Sequence, residues 1–132
     1  MFASGDSITS ARLVPCCDSA LRLSGRSIDP IARHVLQMER VLALAEAGHF
    51  DLIHWHIDYL HFPLSRRLGV PQVTTLHGRL DLPDLPDLYA AFPDMPVISI
   101  SNAQRAPLPM AQWVGTVYHG LPESLYEARE GT

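Results

Sequence analysis

Apolar residues in this chain gather in short blocks, and the spacing inside the blocks changes along the sequence. From Asp29 to Gly48 they recur at three- and four-residue intervals. Val35, Met38, Val41, Leu42 and Ala45 then share one face of a helix. Asp29 suits the N-cap and Pro30 the first helical position, while Gly48 is placed to end the helix. Elsewhere the blocks are too short for helices and read as strands. They cover the end of a strand at 1–4, then 11–16, 51–56, 72–77, 96–100 and 113–118. Pro15 puts the second of these near a sheet edge. Gly5-Asp6-Ser7 is a turn and residues 18–28 are polar and irregular.

The remaining helices are short. One is expected around 58–68, before the break Gly69-Val70-Pro71, and one over 84–91, limited by Pro83 and Pro93. Another starts at Asn102 and is cut by Pro107 and Pro109. Strand and helix alternate, which predicts a parallel sheet with right-handed crossovers. Continuous apolar strands such as Val97-Ile98-Ser99-Ile100 fit a sheet covered on both faces.

Three of the strand-like blocks end in histidine. These are Ile53-His54-Trp55-His56, Thr74-Thr75-Leu76-His77-Gly78 and Val117-Tyr118-His119-Gly120. In an open parallel sheet the carboxyl ends of the strands share one edge, where ligands bind. The pattern therefore predicts a rim of imidazoles.

With 132 residues the chain is long enough for one domain with a buried core. Its net charge of −4 leaves no basic stripe for nucleic acid. The longest apolar runs are far below the ~18 residues of a membrane span, and the first residues lack the pattern of a signal peptide. Cys16 and Cys17 are adjacent, so a disulfide between them would be strained; two packed thiols fit a cytoplasmic location.

Two chemistries suit the histidines. His54, His56 and Asp58 alternate along a strand and project to one face. That run partly matches the His-x-His-x-Asp ligands of metallo-β-lactamase-type hydrolases, although Tyr59 stands where that family has another histidine. The other chemistry is an oxygen- or phosphate-binding edge without metal. There, an imidazole and the backbone of a following glycine face one ligand, a sugar hydroxyl or a pyrophosphate. A lone histidine at a strand end commonly serves structure, but His77-Gly78 and His119-Gly120 together favour a ligand. Arg79 and Asp81 either bind that ligand or pair with each other. Ser99 and Ser101 flank another strand end, with Ser101 placed to cap the next helix. Arg105, expected in the first turn of that helix, is misplaced for the helix dipole and hints at an anion. Trp55 and Trp113 read as core, and His34 and His49 as solvated.

In their order and spacing these motifs resemble glycosyltransferase family 4, of the two-domain GT-B fold. Phe50-Asp51-Leu52-Ile53-His54-Trp55-His56, Thr74-Thr75-Leu76-His77-Gly78, Val97-Ile98-Ser99-Ile100-Ser101 and Val117-Tyr118-His119-Gly120-Leu121-Pro122 carry the resemblance. Phe2-Ala3-Ser4-Gly5-Asp6-Ser7 is similar to the second strand and loop of the amino-terminal domain. The resemblance implies an α/β fold: a Rossmann-like open parallel sheet flanked by helices, one half of a GT-B architecture, with its first βα unit missing. Residues 1–122 would form this incomplete amino-terminal domain, and 123–132 a frayed tail or the start of an interdomain linker.

The implied activity is retaining transfer of a sugar from a nucleotide-sugar to a glycosyl acceptor, without a metal cofactor. By resemblance, His77 is the catalytic candidate beside the transferred sugar or its phosphate. His54, His56, Gly78, Arg79, Ser99, Ser101, His119 and Gly120 are the substrate-binding candidates. The carboxyl-terminal donor-binding domain is the implied partner. Without it the chain is expected to be inactive, because a GT-B active site is assembled between two domains and depends on preorganised groups from both. A non-catalytic sugar- or nucleotide-binding module is the alternative from another class.

Overall fold

A computed structural model describes residues 1–23, 25, 29–122 and 125. Apart from Leu125, the expected tail at 123–132 lies outside them. The elements run β1 (Phe2–Ser4), β2 (Val14–Cys17), α1 (Pro30–Glu46), β3 (Ile53–Trp55), α2 (Phe62–Ser65), β4 (Gln72–Thr75), α3 (Leu85–Ala91), β5 (Pro96–Ser99), α4 (Asn102–Arg105) and β6 (Gln112–Thr116). This is a mixed α/β fold with parallel strands. The strand orders are β1-β2 in a two-stranded sheet and β3-β4-β5-β6 in a four-stranded one. None of the described helices is long and apolar enough to cross a membrane. The chain divides into two compact units, Met1–Gln72 and Val73–Thr132.

In the first unit β1 and β2 pair in parallel, Phe2 opposite Val14 and Ala3 opposite Pro15. The turn after β1 needs glycine, because a Cβ at Gly5 would stand 2.8 Å from the Asp18 carbonyl oxygen. Helix α1 begins as its sequence predicts. The Asp29 carboxylate accepts from the amides of Ile31 and Ala32, and Pro30 opens the first turn. The helix ends at Glu46 with Ala47 as its C-cap, and Gly48 follows with a left-handed φ of +76°. Met38, Val41 and Ala45 are buried against Ile53 and Trp55. Val35, assigned by periodicity to the same face, is instead half exposed.

The helix expected over 58–68 shrinks to Phe62–Ser65. Asp58 takes a left-handed φ of 51°, which interrupts helical geometry, and Pro63 sets the start one turn later. Residues 18–28, read as irregular, contain a short 3-10 turn at Leu21–Leu23.

In the second unit β4, β5 and β6 are parallel neighbours. Thr74 pairs with Val97 and Val97 with Trp113. Val97, Leu76, Tyr89 and Leu108 are fully buried, and Leu80, Leu85 and Met95 nearly so. Strands β4 and β6 end a residue or two before the apolar blocks do. The ladder nevertheless continues, with Leu76 N–H donating to Ile98 and Val117 N–H donating to Ser99, at 3.0 and 2.8 Å.

Candidate functional site

Because β4, β5 and β6 run the same way, their carboxyl ends form one edge of the second unit. Adjacent strands lie about 4.8 Å apart, so β4 and β6 are separated by roughly 10 Å across the middle strand. His77 stands two residues beyond β4 and His119 three residues beyond β6. Their rings nevertheless stack, with centroids 5.6 Å apart and planes tilted by 24°. Both residues are exposed.

A hydrogen-bonded network also joins the carboxyl ends of β5 and β6 to α4. Ser99 is fully buried, and its hydroxyl lies 2.8 Å from that of Thr116. Thr116 donates to the Asn102 side-chain oxygen at 3.3 Å and accepts from Arg105 at 3.4 Å. Either hydroxyl can donate in the Ser99–Thr116 contact, and the Ser99 hydroxyl also donates to the Gly115 carbonyl at 3.5 Å. Ser101 N-caps α4, accepting from the Gln104 amide at 3.1 Å, which is the role its position suggested. Arg105 is not in the first turn of a long helix: α4 is four residues long and Arg105 ends it, where a cation suits the dipole. Its guanidinium lies 5.4 Å from the centre of the Trp113 ring. Trp113 itself is half-buried and donates its indole N–H to Leu108.

Arg79 and Asp81 form a bidentate pair with both contacts at 2.9 Å. Both are largely solvated, and the Arg79 guanidinium holds the Asp81 carboxyl below its ordinary range. Neither Gly78 nor Gly120 uses the left-handed backbone region, and a Cβ at Gly120 would meet nothing within 4 Å.

Gln104 escaped sequence reading. Its side-chain NH2 donates to the carbonyls of Leu76 and Gly78, at 3.1 and 3.0 Å, while its oxygen accepts from the Ile100 amide at 2.9 Å. One side chain therefore ties the His77-Gly78 segment to the end of β5. Gln104 is a positioning residue, and only its proximity to Ser101 in sequence could have drawn notice.

The first unit has an imidazole pair of its own. His54 and His56 face the same side, as alternation in a strand requires, with ring centroids 4.3 Å apart. They border a cleft of about 320 Å³. Among the described residues no three His, Cys, Asp or Glu side chains converge as metal ligands, so Asp58 does not complete a triad with this pair.

His61 is buried completely. It stacks on Trp55 at 4.4 Å, and its Nδ1 lies 2.6 Å from the Ser65 hydroxyl. Burial lowers its pKa from 6.5 to about 3, so the ring is neutral in the folded protein. Gln72 continues this network, accepting from the Trp55 indole at 3.0 Å and donating to the Ser65 carbonyl at 2.7 Å.

A larger cleft, about 690 Å³, opens at the carboxyl ends of β1 and β2 beside Ser4, Cys17, Arg33 and His34. His34, expected to be solvated, is partly buried there, and its Nδ1 has no hydrogen-bond partner among the described residues. Cys16 and Cys17 are free thiols, each hydrogen-bonded to a nearby carbonyl, and burial raises the Cys16 pKa. The chain matches no protein-family profile and no curated protein.

Proposed function

We propose that the carboxyl edge of β4, β5 and β6 is a sugar- and phosphate-binding wall, and that the chain is the acceptor-side half of a retaining, nucleotide-sugar-dependent glycosyltransferase with a Rossmann-like sheet of the GT-B kind. One observation carries the reading: His77 and His119, which follow strands on either side of β5, stack 5.6 Å apart. The pair is exposed while the segments that carry it are hydrogen-bonded. Gln104 clamps one histidine's loop, and the Ser99–Thr116–Asn102 chain braces the strand ends below.

Neutral imidazoles donate to and accept from sugar hydroxyls, and protonated ones pair with phosphate. In this reading His77 contacts the transferred sugar or its phosphate, and His119 steadies the same group from the far side of β5. Gly78 and Gly120 present backbone, and Arg79 is the cation within reach once it leaves Asp81. A second domain supplies the groups that hold the leaving nucleotide.

Calorimetric titration with inorganic pyrophosphate and a panel of nucleotide-sugars tests the reading. His77→Ala and His119→Ala are each expected to weaken binding about tenfold, the effect of one lost charge-assisted hydrogen bond. Unchanged affinity in both variants, with circular dichroism intact, would contradict it. Binding that persists without any sugar transfer when a donor domain is added would favour a non-catalytic binding module.

A further inference from the structure

The cleft of about 690 Å³ in the first unit brings together side chains from three places: the end of β2, the 3-10 turn at Leu21–Leu23 and the first two turns of α1. Arg22, Arg33 and His34 all line it. Its charge is one-sided. The chain has a net charge of −4, yet the lining holds two arginines and a histidine and no aspartate or glutamate. Asp6, Asp18 and Asp29 stand outside the lining, and two of them are occupied: Asp6 accepts from the Ala20 amide and Asp29 caps α1. The other polar groups of the wall are also engaged. The Cys16 and Cys17 thiols donate to the carbonyls of Val14 and Ser19, the Ser4 hydroxyl meets that of Ser7, and Gln37 donates to the Phe2 carbonyl. Arg22, Arg33 and His34 remain. Among the described residues neither arginine has an ion-pair partner, and the buried Nδ1 of His34 has no hydrogen bond. A buried ring nitrogen left in that state costs stability, which a ligand oxygen restores.

We propose that this cleft binds an organic phosphate monoester, its phosphoryl group held by Arg22, Arg33 and His34 and its uncharged body lying along Ala3, Ala20 and Leu21. Two guanidinium groups balance the two negative charges of a monoester, and their planar forks match phosphoryl oxygens in pairs. The His34 Nδ1, carried as N–H, supplies a further donor. The size of the cleft argues for an ester rather than a bare phosphate. At about 690 Å³ it falls in the range of small-molecule sites, roughly 300–1,000 Å³. The apolar part of the wall argues for an uncharged body, since it has no polar partner to offer a second ionic group. None of the residues assigned to the β4–β6 edge lines this cleft, so the site stands apart from the sugar-transfer reading.

Calorimetric titration of the whole chain with phenyl phosphate at pH 7.5, where a monoester is doubly charged, tests the proposal. Inorganic phosphate is the comparison ligand. Phenyl phosphate is expected to bind about tenfold more tightly than inorganic phosphate, and to shift the ring signals of His34 in NMR. Arg22 and Arg33 are exposed, so Arg22→Gln and Arg33→Gln should leave the circular dichroism unchanged while each weakens phenyl phosphate about tenfold. His77→Ala should leave that affinity as it is. Absence of phenyl phosphate binding, unchanged affinity in both arginine variants, or equal affinity for inorganic phosphate would overturn the proposal. So would loss of binding in His77→Ala, since the ester would then sit at the β4–β6 edge. Pyrophosphate binding that depends on His77 and His119 but not on the two arginines would leave the proposed function standing whatever happens to this site.

Discussion

Lowering the pH from 6.5 to 4.5 is expected to destabilise the first unit by about 2–3 kcal/mol, at roughly 1.4 kcal/mol per pH unit. The cause is His61. Its folded pKa is depressed to about 3 by burial, against an ordinary 6.5. Between those values the unfolded chain binds a proton that the folded chain refuses, so stability falls as pH falls; above 6.5 both forms are neutral and the contribution is flat. The carboxyls of Asp6 and Asp81 are also held below their ordinary range, Asp6 chiefly by the Ser4 hydroxyl and Asp81 by Arg79. They act only below about pH 4, which leaves the upper window to histidine. Urea unfolding at pH 7.5, 5.5 and 4.5 reads the slope. His61→Phe keeps an aromatic ring on Trp55 and removes the titration. It should cost about 1 kcal/mol at pH 7.5 through the lost Ser65 contact, and flatten the slope over this window. An unchanged slope in that variant would place the acid sensitivity elsewhere.

Gln104→Ala is expected to cost the second unit about 2–3 kcal/mol, because three hydrogen bonds to the backbone are lost at roughly 1 kcal/mol each. Gln104→Glu should be worse. It keeps the acceptor for the Ile100 amide but turns a carboxylate towards the Leu76 and Gly78 carbonyls, where the native amide donates. Both variants should also speed amide exchange in 77–79, which a purely local helix defect in α4 would leave unchanged. Denaturant unfolding and hydrogen exchange together check this. A loss below about 0.5 kcal/mol would remove Gln104 as the clamp of the site.

Much of this architecture is visible in the residue pattern. Asp29, Pro30 and Gly48 bound α1 because capping and the left-handed exit are local requirements. The β4, β5 and β6 blocks declare themselves as short apolar runs bounded by turn residues, although β6 leaves Gln112 and Val114 exposed rather than covered on both faces. Harder to read is anything set by tertiary contact. Val35 keeps the helical period and still faces solvent, because the width of a buried stripe depends on what packs against it. The α2 segment is cut short by a left-handed Asp58 that no propensity announces.

The site divides in the same way. The meeting of His77 with His119 follows from parallel strands and a shared edge, both legible in sequence. Gln104 and the His61–Ser65–Gln72–Trp55 network do not, since each joins groups whose proximity only the folded chain creates. Arg105 shows the converse error: a charge that looked out of place ceases to be so once the helix around it is one turn long.

The most direct test of the central claim is solution NMR of the imidazole rings during titration with inorganic pyrophosphate. The account predicts that the His77 and His119 ring signals shift together with one midpoint, that His77→Ala abolishes the shift at His119, and that the His54 and His56 rings stay where they are. Ring signals of His77 and His119 that move independently, or remain still while pyrophosphate binds elsewhere, would contradict it.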